Sequence, residues 1–327
     1  MPVATPRPYQ LAPALTPGAP LLARVHFGVP VLASGERDPR EIHLSLPLLH
    51  GPATECWTST TPVQHGWQDG LGYAENGTLL FGQVSFVEAE LTALGVDRAV
   101  FQAYARINHL LHSRGYPHWL RMWNFLSHIT EGEGDAERYR LFNTGRGRAL
   151  ELKREIERQL PAATAIGTAE GGLTIYFIGA TEMQGVQVEN PRQVSAFQYP
   201  RQYGIKSPSF SRATRVEWVD GGDLLVSGTA SVVGHETRHA DDLVAQLHET
   251  FANLDALVAA ATLQRGGGLY RPHSFKLYLT QPALLPHLLP LLQAQFGHAP
   301  VSCLQGAICR RDLGLEIEGI YTADALP

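Results

Sequence analysis

Residues 79–180 and 224–321 run through the same succession of elements, and that repetition limits the fold more than any other feature of the chain. In the later stretch, a β-rich run at 224–233 leads through a polar turn to the paired aspartates Asp241 and Asp242. Leu243, Leu247, Phe251, Leu254 and Val258 then fall at helical spacing, and aspartates suit a helix N-terminus. Next come a strand at 274–280, a helix at 282–297 with Pro286 and Pro290 near its start or kinking it, and strand-like runs at 301–308 and 313–321. The earlier stretch repeats this order: a strand at 79–86, a helix over 100–115 closing on Gly115, a strand at 120–129, a helix at 136–160, and a strand pair in 161–180. Each copy reads as strand, helix, strand, helix and closing hairpin. The expected class is α+β, with two repeats, mixed sheets and helices packed on one face. The expected boundaries are an N-terminal arm at 1–21, a first repeat domain at 22–200 and a second at 201–327.

Composition narrows the function classes. The 327 residues carry a net charge of -5, so no global basic field recruits nucleic acid or anionic membrane. The proline-rich start has neither a charged lead nor an apolar run, and reads as an extended arm rather than a signal peptide or membrane anchor. Three cysteines, Cys56, Cys303 and Cys309, without paired spacing suggest a reducing cytoplasm.

The run GHETRH (234–239) contains His-Glu-x-x-His, which binds zinc when both histidines share one helix face. Here the helix begins near residue 241, after His239, and the extended form of the motif would need a histidine at 245, which is alanine. The stretch therefore reads as a polar strand-to-helix loop, and no metal is expected.

Two places have the chemistry for a site. Residues 191–216 lack Asp and Glu but hold Arg192, Arg201, Lys206, Arg212 and Arg215, interleaved with Tyr199, Tyr203, Ser207, Ser209 and Ser211. Such an island can grip a small polyanion, because arginine binds carboxylates through two parallel hydrogen bonds; composition alone fits a solvated basic loop as well. In LGLEIEGIY, Glu316 and Glu318 share one strand face, roughly 6.8 Å apart, opposite Leu315, Ile317 and Gly319. A strand this apolar is expected to be buried, and desolvation raises a carboxyl pKa toward what a general acid needs; the alternative is a pair of exposed edge glutamates. Cys309, by itself, reads as a small buried hydrophobe.

The segment SGTASVV, the Asp242-Leu243-x-x-Gln246 and Asn253-Leu254-x-x-Leu257 spacings and the closing LEIEGIY resemble the RidA/YjgF family, whose fold is chorismate-mutase-like. The block NPRQVSAFQYPRQYGIKSPSFSRA (190–213) resembles, more narrowly, the chorismatases, and that likeness spans most of the chain. It implies a metal-free, cofactor-free lyase that cleaves chorismate to pyruvate and 3-hydroxybenzoate, alone or together with 4-hydroxybenzoate. It also implies two anion sites for the dianionic substrate, assigned to Arg201 and Arg212 with Tyr199 and Tyr203 alongside. Arg146, in the first repeat, is a further candidate. In the RidA pattern the first glutamate of the EIE run points into the pocket, which maps to Glu316; the first repeat has Thr174 and Tyr176 at the corresponding positions. Glu316 would protonate the enol ether methylene.

Hydroxybenzoate-forming relatives tend to carry cysteine where hydrolytic ones carry alanine, which maps to Cys309 if the last two strands form a hairpin. Gly228 and Ala230 complete the expected substrate-binding set and are the other seat of product choice. Glu318 is expected to matter less than Glu316. The rival readings are a hydrolytic chorismatase giving a dihydroxycyclohexadiene carboxylate, a RidA-type imine deaminase and a non-catalytic binding module. The expected partner is a small molecule, and the expected assembly is a monomer of two fused repeats or a weak oligomer.

Overall fold

A computed structural model describes residues 6–30, 38–151, 159–182 and 185–326. The first segment builds β1 (Tyr9–Ala12), β2 (Leu21–Phe27), β3 (Glu41–Leu44), β4 (Leu48–His50) and β5 (Thr54–Ser59). Four of these form a sheet of order β1-β5-β2-β3, while β4 adds to a different sheet by pairing with the strand at 301–305. Residues 9–12 are thus a paired strand rather than a free arm. These strands are three to seven residues long, too short to give a clear period in the sequence.

The first repeat comprises β6 (Gln64–Gln68), β7 (Leu71–Glu75), β8 (Leu79–Phe86), α1 (Glu88–Leu94), α2 (Val96–Ser113), β9 (His118–Ser127), α3 (Arg138–Leu150), β10 (Ala162–Thr168) and β11 (Leu173–Ala180). The second comprises β12 (Gly185–Val188), β13 (Ala213–Trp218), β14 (Gly221–Thr229), the small hairpin β15 (Val232–Val233) and β16 (Glu236–Thr237), α4 (Leu243–Arg265), β17 (Arg271–Leu279), α5 (Leu285–Phe296), β18 (Val301–Gln305) and β19 (Leu315–Asp324). The helix expected over 136–160 is seen to Leu150; residues 152–158 of that expectation lie outside the described residues.

The two sheets have matching orders, β10-β9-β11-β8-β7-β6 and β18-β17-β19-β14-β13-β12, with β4 added beyond β18. The duplication holds, with two corrections. In neither copy do the last two strands form a hairpin: β9 separates β10 from β11, and β17 separates β18 from β19. The seam also lies earlier than residue 200, because β12 pairs with β13 and so belongs to the second sheet.

Alternation along the strands sorts the core. Leu315, Ile317, Tyr321 and Ala323 of β19 pack with Leu247 and Leu254 of α4 and Leu288 of α5, while Ile320 turns to a core shared by all three large sheets. Helices α1 to α3 cover the outer face of the first sheet in the same way. Glu316 and Glu318 therefore face the junction between the repeats. Among the described residues no helix is long and apolar enough to cross a membrane.

Candidate active site

A cavity of about 620 Å³ opens at that junction. The second repeat supplies Glu316, Cys309, Gly228, Ala230, Tyr199, Tyr203 and Arg212, all named from the sequence; the first supplies Arg146. Arg201 is the exception. Its guanidinium lies on the surface, with Nη1 and Nη2 donating to the two Asp135 carboxylate oxygens at 3.0 and 2.7 Å, and it does not line the cavity. A loop arginine answered by an aspartate of the other repeat is invisible to local sequence reading.

Two arginines remain inside. Arg146 is 1% exposed; its Nη2 donates to Asn143 Oδ1 at 2.8 Å, and its Nε has no partner. Arg212 is also buried. Its Nη2 donates to the Val194 carbonyl and the Tyr199 hydroxyl at 2.7 and 2.8 Å, its guanidinium carbon lies 5.5 and 5.3 Å from the Tyr199 and Phe210 ring centres, and its Nε is likewise unpaired. Neither has a carboxylate partner among the described residues. A buried cation without an anion is costly, so both sites are suited to an anionic ligand.

Glu316 is buried, and no described residue donates a hydrogen bond to its carboxyl. Burial, then repulsion from Glu318, pushes it up to about 8, against the pull of Arg121 and Arg212. It therefore holds a proton at neutral pH. Gly228 makes room for it: a Cβ at that position would overlap Glu316 Oε1.

Cys309 reaches the site by a route the sequence did not indicate. With no hairpin between β18 and β19, it is the 306–314 connection, rather than strand pairing, that brings the thiol to the same cavity as Glu316. Burial, and then Glu316, pushes the thiol up to about 12, so it is a neutral group that fills space rather than a thiolate nucleophile.

Sequence reading missed Arg310, Tyr139 and Thr164. Arg310 lies over Tyr203 at 4.2 Å and Tyr199 at 5.2 Å, and its Nη1 donates to the His235 carbonyl at 2.9 Å. Tyr139 and Thr164 enter from α3 and β10 of the first repeat, and only the packing of one repeat on the other identifies them. The GHETRH run forms part of the cavity rim. His235 lies between β15 and β16, where Tyr203 Oη donates to its carbonyl at 2.7 Å. His239 has a left-handed backbone (φ 58°) and faces Glu249 at 3.3 Å, before Asp242 caps α4. The two imidazoles therefore share no helix face.

The site can be compared with known proteins. The family described as "Chorismatase FkbO/Hyg5-like, N-terminal" matches residues 55–179. A 3-hydroxybenzoate synthase of Streptomyces hygroscopicus is 35% identical over 292 residues, which is 86% of this chain and 84% of that protein. A chorismatase of Streptomyces rapamycinicus is 35% identical over 81% of each chain. A crystal structure of a chorismatase matches with a TM-score of 0.86 at 29% identity, covering 98% of this chain and 99% of that one.

Proposed function

This chain belongs to the chorismatase family, and on that premise we propose that it cleaves chorismate to pyruvate and 3-hydroxybenzoate. One observation carries the reading: two buried arginines without carboxylate partners face the same cavity as a buried, protonated glutamate. Chorismate offers two carboxylates to the first pair and an enol ether to the second. Arg146 and Arg212 each take one carboxylate, which replaces Arg201 in the anchoring role. Tyr199 and Tyr203 form the wall beside Arg212.

Glu316 gives its proton to the enol ether methylene, and the oxocarbenium-like centre that results lets pyruvate depart. The C4 hydroxyl oxygen closes on C3 as the C3–O bond to pyruvate breaks, and its proton restores Glu316. The C4–O bond of that 3,4-epoxide then opens and the C3–H proton is lost, which leaves the oxygen on C3 of the aromatic acid. Chorismate has the combined composition of pyruvate and hydroxybenzoate, so the balance needs no water, oxidant or reductant. No step calls on a metal. Turnover is expected to be unchanged after chelator treatment and dialysis, as measured by pyruvate release; loss of activity restored by a divalent ion would overturn the metal-free reading.

The direct test is purified protein with chorismate, quantifying pyruvate and the aromatic acids. No pyruvate would leave a binding module, and a dihydroxycyclohexadiene carboxylate would mark a hydrolytic enzyme. Product choice is assigned to Cys309. Its neutral thiol occupies space beside Glu316 that an attacking water would otherwise use. Cys309→Ala is expected to keep releasing pyruvate while its product shifts from hydroxybenzoate toward the dihydroxy diene. Chromatography at matched pyruvate yield checks this, and unchanged proportions would return Cys309 to a packing role and move product choice to 228–230.

A further inference from the structure

Strand β19 turns two glutamates toward the first repeat, and the cavity uses only Glu316. Glu318 is 1% exposed. Arg121 of β9 forms an ion pair with it, Tyr278 Oη and Thr164 Oγ1 donate to it at 2.5 Å each, and Lys276 Nζ lies 3.2 Å away. Lys276 is directly opposite Glu318 in the β17–β19 register, and it also pairs with Glu55 of β5 at 2.7 Å. Two carboxylates and two cations thus lie buried together where three sheets meet. Burial alone would protonate Glu318; Lys276 and Arg121 outweigh it, and its carboxyl is held below the usual range. Packed apolar side chains would stabilise such a junction at least as well, so stability does not explain the cluster.

Thr164 links this cluster to the acid. A hydroxyl has one proton and two lone pairs. Arg121 Nη2 and the Gly228 N–H both donate to Thr164 Oγ1, at 2.7 and 3.0 Å, which occupies the lone pairs and leaves the proton for Glu318. Gly228 is the residue against which the Glu316 carboxyl rests. One hydroxyl from the first repeat therefore joins the ionised carboxylate to the surface under the catalytic acid.

We propose that Glu318 and Thr164 are positioning residues for the reaction: Glu318, fixed as an anion, orients the Thr164 hydroxyl and adds its charge to the effect of burial on Glu316, and Thr164 holds Gly228 so that the Glu316 carboxyl meets the substrate. This rests on the reading of Glu316 as the acid. The charged and titratable groups facing Glu316 are Glu318 on its own strand, Arg121 from β9, Arg212 ahead of β13, Cys309 in the 306–314 connection and Tyr139 of α3. Cys309 and Tyr139 are pushed up and neutral, and the two arginines favour ionisation. Beside burial, Glu318 is the one charge among these groups that opposes it. The second repeat's acid is thus incomplete without β9 and β10 of the first.

The test compares Thr164→Val, Thr164→Ser and Glu318→Gln by pyruvate release across pH, together with infrared titration of the Glu316 carboxyl, assigned by its absence in Glu316→Gln. Thr164→Val is expected to lower kcat about tenfold with KM within about twofold, and Thr164→Ser to restore it. Glu318→Gln is expected to move both the high-pH limb of activity and the carboxyl titration down by about one pH unit, because a like charge roughly 6.8 Å away is removed. If Glu318→Gln unfolds, Glu318→Gln with Lys276→Met keeps the cluster balanced and takes its place. A Thr164→Val enzyme with wild-type kcat, a Thr164→Ser enzyme that fails to rescue, or a carboxyl titration that stays in place without the anion would overturn the proposal. Near-normal turnover by Glu316→Gln would instead overturn the acid assignment, and the infrared titration would still report on Glu318.

Discussion

Replacing Glu316 by glutamine is expected to cut turnover at least about 100-fold while chorismate binding persists, the usual scale for losing a general acid. The amide has nearly the same shape, so it can rest on Gly228 where the carboxyl does. It cannot supply the proton that the methylene needs. Arg146 and Arg212 are untouched, so affinity measured by calorimetry or by quenching of tryptophan fluorescence should stay within a few-fold. The pH profile gives a second signature. On the proposed reading Glu316 must be protonated to act, and its carboxyl is pushed up to about 8. Wild-type kcat/KM should be high below that value and fall as pH rises through it, whereas the residual rate of Glu316→Gln should lack this limb. Near-normal turnover with the limb intact would place the acid elsewhere. Glu318→Gln is not a neutral control for this experiment, despite lying on the same strand face, because Glu318 balances Arg121 and Lys276 in the buried cluster.

The features legible in the sequence are those that depend on neighbours along the chain. Alternation in LEIEGIY placed Glu316 and Glu318 on one face, and the aspartates before Leu243 marked the start of α4, with Asp242 accepting from the Ala245 N–H. The order of strands and helices revealed the duplication. What stayed hidden is set by contacts between distant segments. Consecutive strands look like a hairpin until β9 or β17 is seen to separate them. Arg201 and Arg212 have similar sequence surroundings, but Asp135 pairs with one on the surface while Tyr199 and Phe210 enclose the other. Thr164 is an ordinary strand residue by composition, and it acquires its role only because β10 lies against β14, where Ala163 N–H donates to Ser227 Oγ at 2.8 Å and Gly228 N–H to Thr164. Within the polar 191–216 block, the sequence supplied candidate residue types, and burial separates those that line the cavity from those that do not.

Arg212→Met is expected to lower kcat/KM at least about 100-fold and to shift its high-pH limb upward. The first effect follows from geometry. Arg212 is enclosed by Tyr199 and Phe210, its Nε is unpaired, and no described carboxylate answers its charge. On the proposed reading a substrate carboxylate does so through charge-assisted hydrogen bonds, each contributing about 1.5–3 kcal/mol, so losing such a contact together with the buried positive charge is expected to reach about a hundredfold. The second effect follows from sign. Arg212 is one of the two cations that pull the Glu316 carboxyl down from the level burial would give it. Methionine fills similar volume without charge, so the carboxyl should rise further and hold its proton to higher pH. Arg212→Lys separates the two effects: it keeps the charge and loses the planar fork, so affinity should drop while the limb stays near its wild-type position. Initial rates of pyruvate release over pH 6–10, about the range that spans the shifted carboxyl, provide both readouts. If Arg212→Met retained wild-type kcat/KM, the second carboxylate would have to be held elsewhere, with Arg310 beside Tyr199 and Tyr203 as the next cation in the cavity. A limb that moved downward instead would show that Arg212 acts on Glu316 by excluding water from it rather than through its charge.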